Sequence, residues 1–150
     1  MKVCLICIIF ILCILISLIN LSYYRTKNKV IEQLTDFMKY YINEIQFNKS
    51  SINEVVKTFV CGSETKKLLT SCRDKNAYPK CLSSIEVDEI YDMLESLGKR
   101  DLDGEIGCAT HNIAKLDIMH KASMAMYAKS GVLRSKLILI AGLIIIIILI

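Results

Sequence analysis

The stretch 104–117, GEIGCATHNIAKLD, carries a thiol, an imidazole and a carboxylate in Cys108, His111 and Asp117. Those types can make a nucleophile, its base and a group that orients the base. The spacing works against it. On one helix Cys108 and His111 stand three residues apart and share a face, while Asp117 lies six residues past His111 and points elsewhere. Cys61, Cys72, Cys81 and Cys108, with His111 and His120, supply the ligand types of a zinc site. Ten residues separate Cys61 from Cys72 and eight separate Cys72 from Cys81, which matches no finger or ribbon pattern. Cys4 and Cys7 form a C-x-x-C, but inside an apolar run, where cysteine acts as a small hydrophobe. The sequence contains no phosphate-cradling glycine loop, no G-x-S-x-G and no H-E-x-x-H. The expectation is a protein that is not an enzyme, with no catalytic residue, no metal and no cofactor.

The elements that must position any function lie between two apolar ends. Residues 3–21 are 19 in a row with only Ser17 and Asn20 polar, enough to span a bilayer as a helix. The n-region is poor and no small-residue cleavage site follows, so this reads as an uncleaved anchor rather than a secretory signal. Residues 137–150 are 14 without a charge, about 21 Å as a helix. Counted from Gly131 the segment reaches about 30 Å, with Arg134 and Lys136 snorkelling to the headgroups. The sequence ends inside that run, which reads as a chain with nothing left to attach. The expected organisation is a transmembrane helix at 3–21, a cytoplasmic helical domain at 25–130 and a second transmembrane helix at 131–150.

The net charge of +4 does not point to nucleic acid. Arg25, Lys27 and Lys29 flank the first segment, and Lys129, Arg134 and Lys136 flank the last. Without these and Lys2, twelve basic residues face fifteen acidic ones, leaving no basic stripe for a phosphate backbone to follow. Both basic clusters lie on the inner flanks, so the positive-inside rule sets the domain in the cytoplasm of a two-pass cell-membrane protein, with the lipid bilayer as a partner. Thiols there are reduced; on the other side Cys72 and Cys81 would be a disulfide candidate.

Within the domain the apolar period is helical, and the fold class expected is all-α, a small bundle of about five helices between the two anchors. Tyr23 and Tyr24 sit at the interface, and a helix then runs from about Val30 to Phe47 with Ile31, Leu34, Met38, Tyr41, Ile42 and Ile45 on one stripe. Ser51 with Glu54 makes a capping box for a short helix through Ile52, Val55, Val56 and Phe59. Another short helix follows Ser63 as far as Cys72, then a loop with Asn76 and Pro79 as turn formers. Ser83 with Glu86 caps a helix expected to turn Ile85, Ile90, Met93, Leu94 and Leu97 inward and to stop at Gly98. Asp101 opens the last helix, with Leu102, Ile106, Ala109, Ile113, Leu116 and Ser123 on its stripe. No proline interrupts it, so it is expected to enter the final apolar segment directly. Gly142 stands alone there, without a small-xxx-small association face.

Two stretches carry a resemblance. IEQLTDFMKYYINEIQF, with Glu44 and Ile45, and ESLGKRDLDGEI, with Leu97, Gly98 and Asp101, in this order between two apolar ends, resemble the stage III sporulation protein AB family of endospore-forming bacteria. In that family a glutamine is usual where Glu105 stands. The family is similar to the inner-membrane platform protein of type II secretion and type IV pilus machines. The resemblance implies a structural part of the channel complex joining mother cell and forespore, in the mother-cell membrane. It also implies partners: the stage III sporulation protein AA ATPase as motor, and other channel-complex proteins. The helix from Ser84 to Leu97 is rich in acid, and Glu86, Glu89 and Asp92 are its candidate docking residues, although such a flank also reads as a solvated face. A membrane-anchored adaptor or scaffold unrelated to sporulation is the competing expectation.

Overall fold

No glycine or proline occurs before Gly62, so neither of the strong helix breakers interrupts the first stretch of the chain. In the computed structural model, which describes residues 2–70 and 79–149, helix α1 accordingly runs without interruption over Lys2–Phe47. The sequence reading started a new helix near Val30; the polar YYRTKNK stretch between is helical too. The expected loop around Asn76, Cys72 (weighed as a zinc ligand and as a conditional disulfide partner of Cys81), and the side chains of Cys4 and Cys7 lie outside the described residues. The remaining helices are α2 (Ile52–Thr58), α3 (Ser63–Thr70), α4 (Ser84–Glu95), α5 (Leu102–Met126) and α6 (Val132–Leu149). No strand occurs among the described residues, and the fold is all-α. Among the described residues one helix, α1, is long and apolar enough to cross a membrane.

The chain divides into two units. One comprises Lys27–Lys121; the other joins Met1–Thr26 to Ala122–Ile150.

In the Lys27–Lys121 unit the α1 stripe is the spine of the core. Ile31, Leu34, Phe37, Met38 and Tyr41 are buried, together with Val55, Leu68, Ile90 and Leu116 from the other helices. Each such apolar side chain contributes about 1.5–3 kcal/mol through loss of water contact. Phe59 meets Phe37 edge-on at 5.4 Å, which seats α2. Both capping boxes form. The Ser51 amide donates to Glu54 Oε2 at 2.9 Å, and the Ser83 amide donates to Glu86 Oε2 at 2.9 Å. Two side chains depart from the expected pattern. Ile85 is 77% exposed, because the buried face of α4 is built from Val87, Ile90, Tyr91, Met93 and Leu94. At 100° per residue, Ile85 falls opposite Leu94 and Ile90. Leu102 is 48% exposed, and Glu105 and Asn112 occupy buried positions on α5 beside Ala109 and Leu116.

In the other unit the helix does not pass unchanged from α5 to α6. A π-helical turn spans Tyr127–Gly131, with the Val132 amide donating to the Tyr127 carbonyl. The packing around it accounts for the turn. Gly131 is packed so closely that a Cβ there would lie 3.1 Å from Tyr24 Cδ2, and the ring occupies that space. Asn20 Nδ2 donates to the Gly131 carbonyl at 3.2 Å and to Ser135 Oγ at 3.3 Å. The last carbonyl of the π-turn thus accepts a side-chain donor from α1. Further along, a Cβ on Gly142 would lie 2.7 Å from Cys13 Sγ. The residue expected to stand alone in the last segment is therefore a close-packing point within the chain.

Candidate partner-binding site

The α4–α5 junction is where the Lys27–Lys121 unit concentrates its polar interactions. Gly98 ends α4 at φ +77°, the left-handed region that glycine enters without strain. The chain then turns so that the amides of Lys99 and Arg100 both point at Glu105 Oε1, at 2.8 and 2.9 Å. Tyr41, from the far end of α1, donates its hydroxyl to Glu105 Oε2 at 3.0 Å. Glu105 is only 5% exposed. Burial pushes its pKa up, but the junction amides and the Tyr41 hydroxyl outweigh burial, and the carboxyl is held below its ordinary range. The Tyr41 phenol moves the other way, to about 12, through burial first and then its bond to the Glu105 anion.

Beside this junction lies a groove of about 550 Å³, lined by Tyr41, Ile45, Lys49, Ser50, Ser51, Ile52, Gly98, Arg100, Leu102 and Glu105. The residues that carried the family resemblance gather around it. Ile45 and Gly98 line it, and Glu44 accepts from Asn48 Nδ2 at 2.9 Å and from Ser50 Oγ at 3.0 Å, fixing the turn after α1. Leu97 is buried in the core beneath, and the Asp101 carbonyl accepts the Glu105 amide at 2.8 Å. Glu105 and Tyr41 were not singled out from sequence as site residues. The signal available was an acid in a first helical turn, which by itself reads as ordinary N-terminal charge.

The acidic flank of α4 is less free than its composition suggests. Glu86 is ion-paired with Lys27 at 2.6 Å, and Glu89 with Lys115 at 2.7 Å. Burial pushes the Glu86 pKa up, but the Lys27 ammonium and the Ser83 donors overcome it and hold the carboxyl low. Asp92 is exposed. Lys27, expected at the lipid boundary, is thus engaged with the domain, whereas Arg25, Lys29, Lys129, Arg134 and Lys136 are exposed.

The members of the Cys108, His111 and Asp117 set have other surroundings. Cys108 Sγ lies 3.3 Å from Ser96 Oγ, Asp117 pairs with Lys121 at 2.6 Å, and His111 is exposed. Among the described residues, no group of three or more His, Cys, Asp or Glu is placed to hold a metal ion. No protein-family model, curated protein or solved structure matches this chain.

Proposed function

We propose that the protein is a two-pass membrane component of the channel complex between mother cell and forespore. It would serve as a non-enzymatic platform for the stage III sporulation protein AA motor ATPase. The observation that carries the membrane part is an inverted pattern in the unit built from the two ends. Its buried positions, among the described residues, are small or polar: Ser17, Ser123, Gly131, Ser135 and Gly142. Its exposed positions include Ile11, Leu12, Leu15, Ile19, Leu133, Leu137, Ile140 and Ile144. In water that arrangement is costly; in lipid, where small residues let helices approach and apolar ones face the chains, it is the favoured one. The motor role rests on the resemblance, supported by the gathering of Glu44, Ile45, Leu97, Gly98 and Asp101 around one junction.

The ATPase would dock on the α4 flank through exposed Asp92 and through Glu89, whose pair with Lys115 is more open to solvent than the Glu86–Lys27 pair, while Glu86 is also held by Ser83. Purification of the tagged protein from sporulating cells should bring down the ATPase. Glu89→Lys with Asp92→Lys should abolish this and reduce spore formation, while the protein still accumulates in membranes. Adding Lys115→Glu to Glu89→Lys alone restores the internal pair and isolates the Asp92 contribution. A reporter fused after Lys80 should read cytoplasm. Absence of the ATPase from the wild-type pull-down, with normal sporulation of a deletion strain, would leave the adaptor reading in its place.

A further inference from the structure

We propose that the groove beside the α4–α5 junction binds a peptide segment of another protein, one that presents a carboxylate next to an apolar side chain. The inference does not depend on the platform reading, and it concerns a different surface from the α4 flank.

Three features of the lining lead there. The floor is apolar, made of the Tyr41 ring, Ile45, Ile52 and Leu102. Leu102 stays about half exposed although it opens a helix that packs into the core. A floor of this kind gains from an apolar side chain that displaces water.

The charged side-chain groups still available in the groove are donors. Glu105, the one carboxylate in the lining, already accepts from Lys99, Arg100 and Tyr41. Ser50 Oγ donates to Glu44. The Ser51 amide and hydroxyl both donate to Glu54. Glu44 and Glu54, the acids next to the lining in sequence, are thus turned to donors of their own. What remains is the Lys49 ammonium, which has no ion-pair or hydrogen-bond partner among the described residues. Arg100 uses Nη1 on the Ser96 carbonyl at 3.1 Å and keeps its other guanidinium donors. Donors without acceptors select a ligand that brings acceptors, and two cations select a carboxylate.

The third feature is conformational. Lys49 has φ +51°, at the helix-end position where glycine or asparagine is usual. A lysine there is strained, and strain in a residue that lines a groove is a pointer to use. An inorganic anion would satisfy the cations and leave the apolar floor wet. A peptide carrying both groups satisfies both, with Tyr41 and Arg100 the residue types that recur at the centre of such contacts.

The test uses the full chain in phosphatidylcholine nanodiscs, with empty nanodiscs as blank. A short fluorescein-labelled peptide of leucine and glutamate is titrated and followed by anisotropy. A leucine–lysine peptide of equal length is the charge control. Saturable binding of the first and none of the second is expected. Lys49→Gly should weaken binding by about tenfold, the loss of one charge-assisted contact, while thermal stability holds or rises because glycine relieves the positive φ. Arg100→Gln should weaken binding to a similar extent. The proposal is overturned if the leucine–glutamate peptide does not bind, if both peptides bind alike, or if both variants bind as wild type does. It is also overturned if dodecanoate binds saturably where the peptide fails, which would assign the groove to a fatty acid.

Discussion

Replacing Glu105 with alanine removes the acceptor shared by two backbone amides and a buried phenol. The amides of Lys99 and Arg100 lie in an exposed turn, so water reaches them after truncation, and each loses about 0.5–1.5 kcal/mol, the net value of a hydrogen bond. The Tyr41 hydroxyl is buried and left without its acceptor, which costs about 1–3 kcal/mol. The effects overlap, because one side chain organises the whole turn, and a total near 3 kcal/mol is expected. For a unit the size of Lys27–Lys121 this lowers Tm by roughly 12–24 °C.

Glu105→Gln keeps the oxygen that serves the two amides and exchanges only the one facing Tyr41. It should cost about 1 kcal/mol. The two variants separate turn-capping from charge. The Glu105 pKa is lower in the folded chain than its ordinary 4.5. Its contribution is therefore fully present above that unfolded value and is lost as pH falls through the folded one. The stability gap between wild type and Glu105→Gln should narrow as the pH falls below that ordinary value. Near-UV circular dichroism of the tyrosines, followed through thermal melts of the full chain in detergent, reads all of this. A Glu105→Ala loss no larger than that of Tyr41→Phe, or a gap to Glu105→Gln that does not change with pH, would refute the reasoning.

Gly98→Ala forces an L side chain into φ +77° and brings a Cβ to 3.4 Å from Ile52 Cγ2; a loss of about 1–2 kcal/mol is expected in the same melts, against near-neutrality for Gly107→Ala, whose Cβ would meet nothing within 4 Å. Gly142→Cys should cross-link to Cys13 under mild oxidation, because the new Cβ would lie 3.2 Å from Cys13 Cβ, and a shift of a few tenths of an ångström apart reaches the separation a disulfide uses. Peptide mapping by mass spectrometry should find Cys13 joined to the introduced thiol, and failure to find that link would mean that α1 and α6 do not meet in this register.

The α1 stripe was legible because Ile31, Leu34, Met38 and Tyr41 repeat at the helical period and bury together. The stops and starts were legible because a capping box and a glycine C-cap are local chemistry: Ser51 with Glu54, Ser83 with Glu86, and Gly98 needed no tertiary partner to be recognised. Glu105 was not legible, since its meaning depends on a tyrosine 64 residues away. Ile85 was misjudged for a related reason. An isoleucine at the start of an amphipathic helix fits the stripe loosely, and only the positions of Val87 and Tyr91 decide which face is inward. The π-turn at Tyr127–Gly131 depends on the Tyr24 ring and on Asn20, both more than a hundred residues earlier. Period and capping report on neighbours in sequence, and these features are made by neighbours in space.

The two ends illustrate how one register can be read once its partners are known. Cys13 meets Gly142, Asn20 meets Ser135, and Tyr24 meets Gly131. In each pair the residue numbers move by equal steps in opposite directions, so α1 and the final helical segment pack antiparallel without slippage. On α1 the face includes Cys13, Ser17, Asn20 and Tyr24, at steps of four, three and four, the spacing of a left-handed helix pair. Every member is small, polar or aromatic, and none is a large aliphatic residue. A water-soluble coiled coil places leucine and isoleucine at such positions, because burying them is its driving force. Here they are on the outside and the polar atoms are paired inside, Asn20 with the Gly131 carbonyl among them. The Lys27–Lys121 unit of the same chain follows the ordinary rule, with isoleucine, leucine and phenylalanine within. On the membrane reading proposed above, the two rules answer to two solvents, and the change of rule falls in the helix sequence around Thr26.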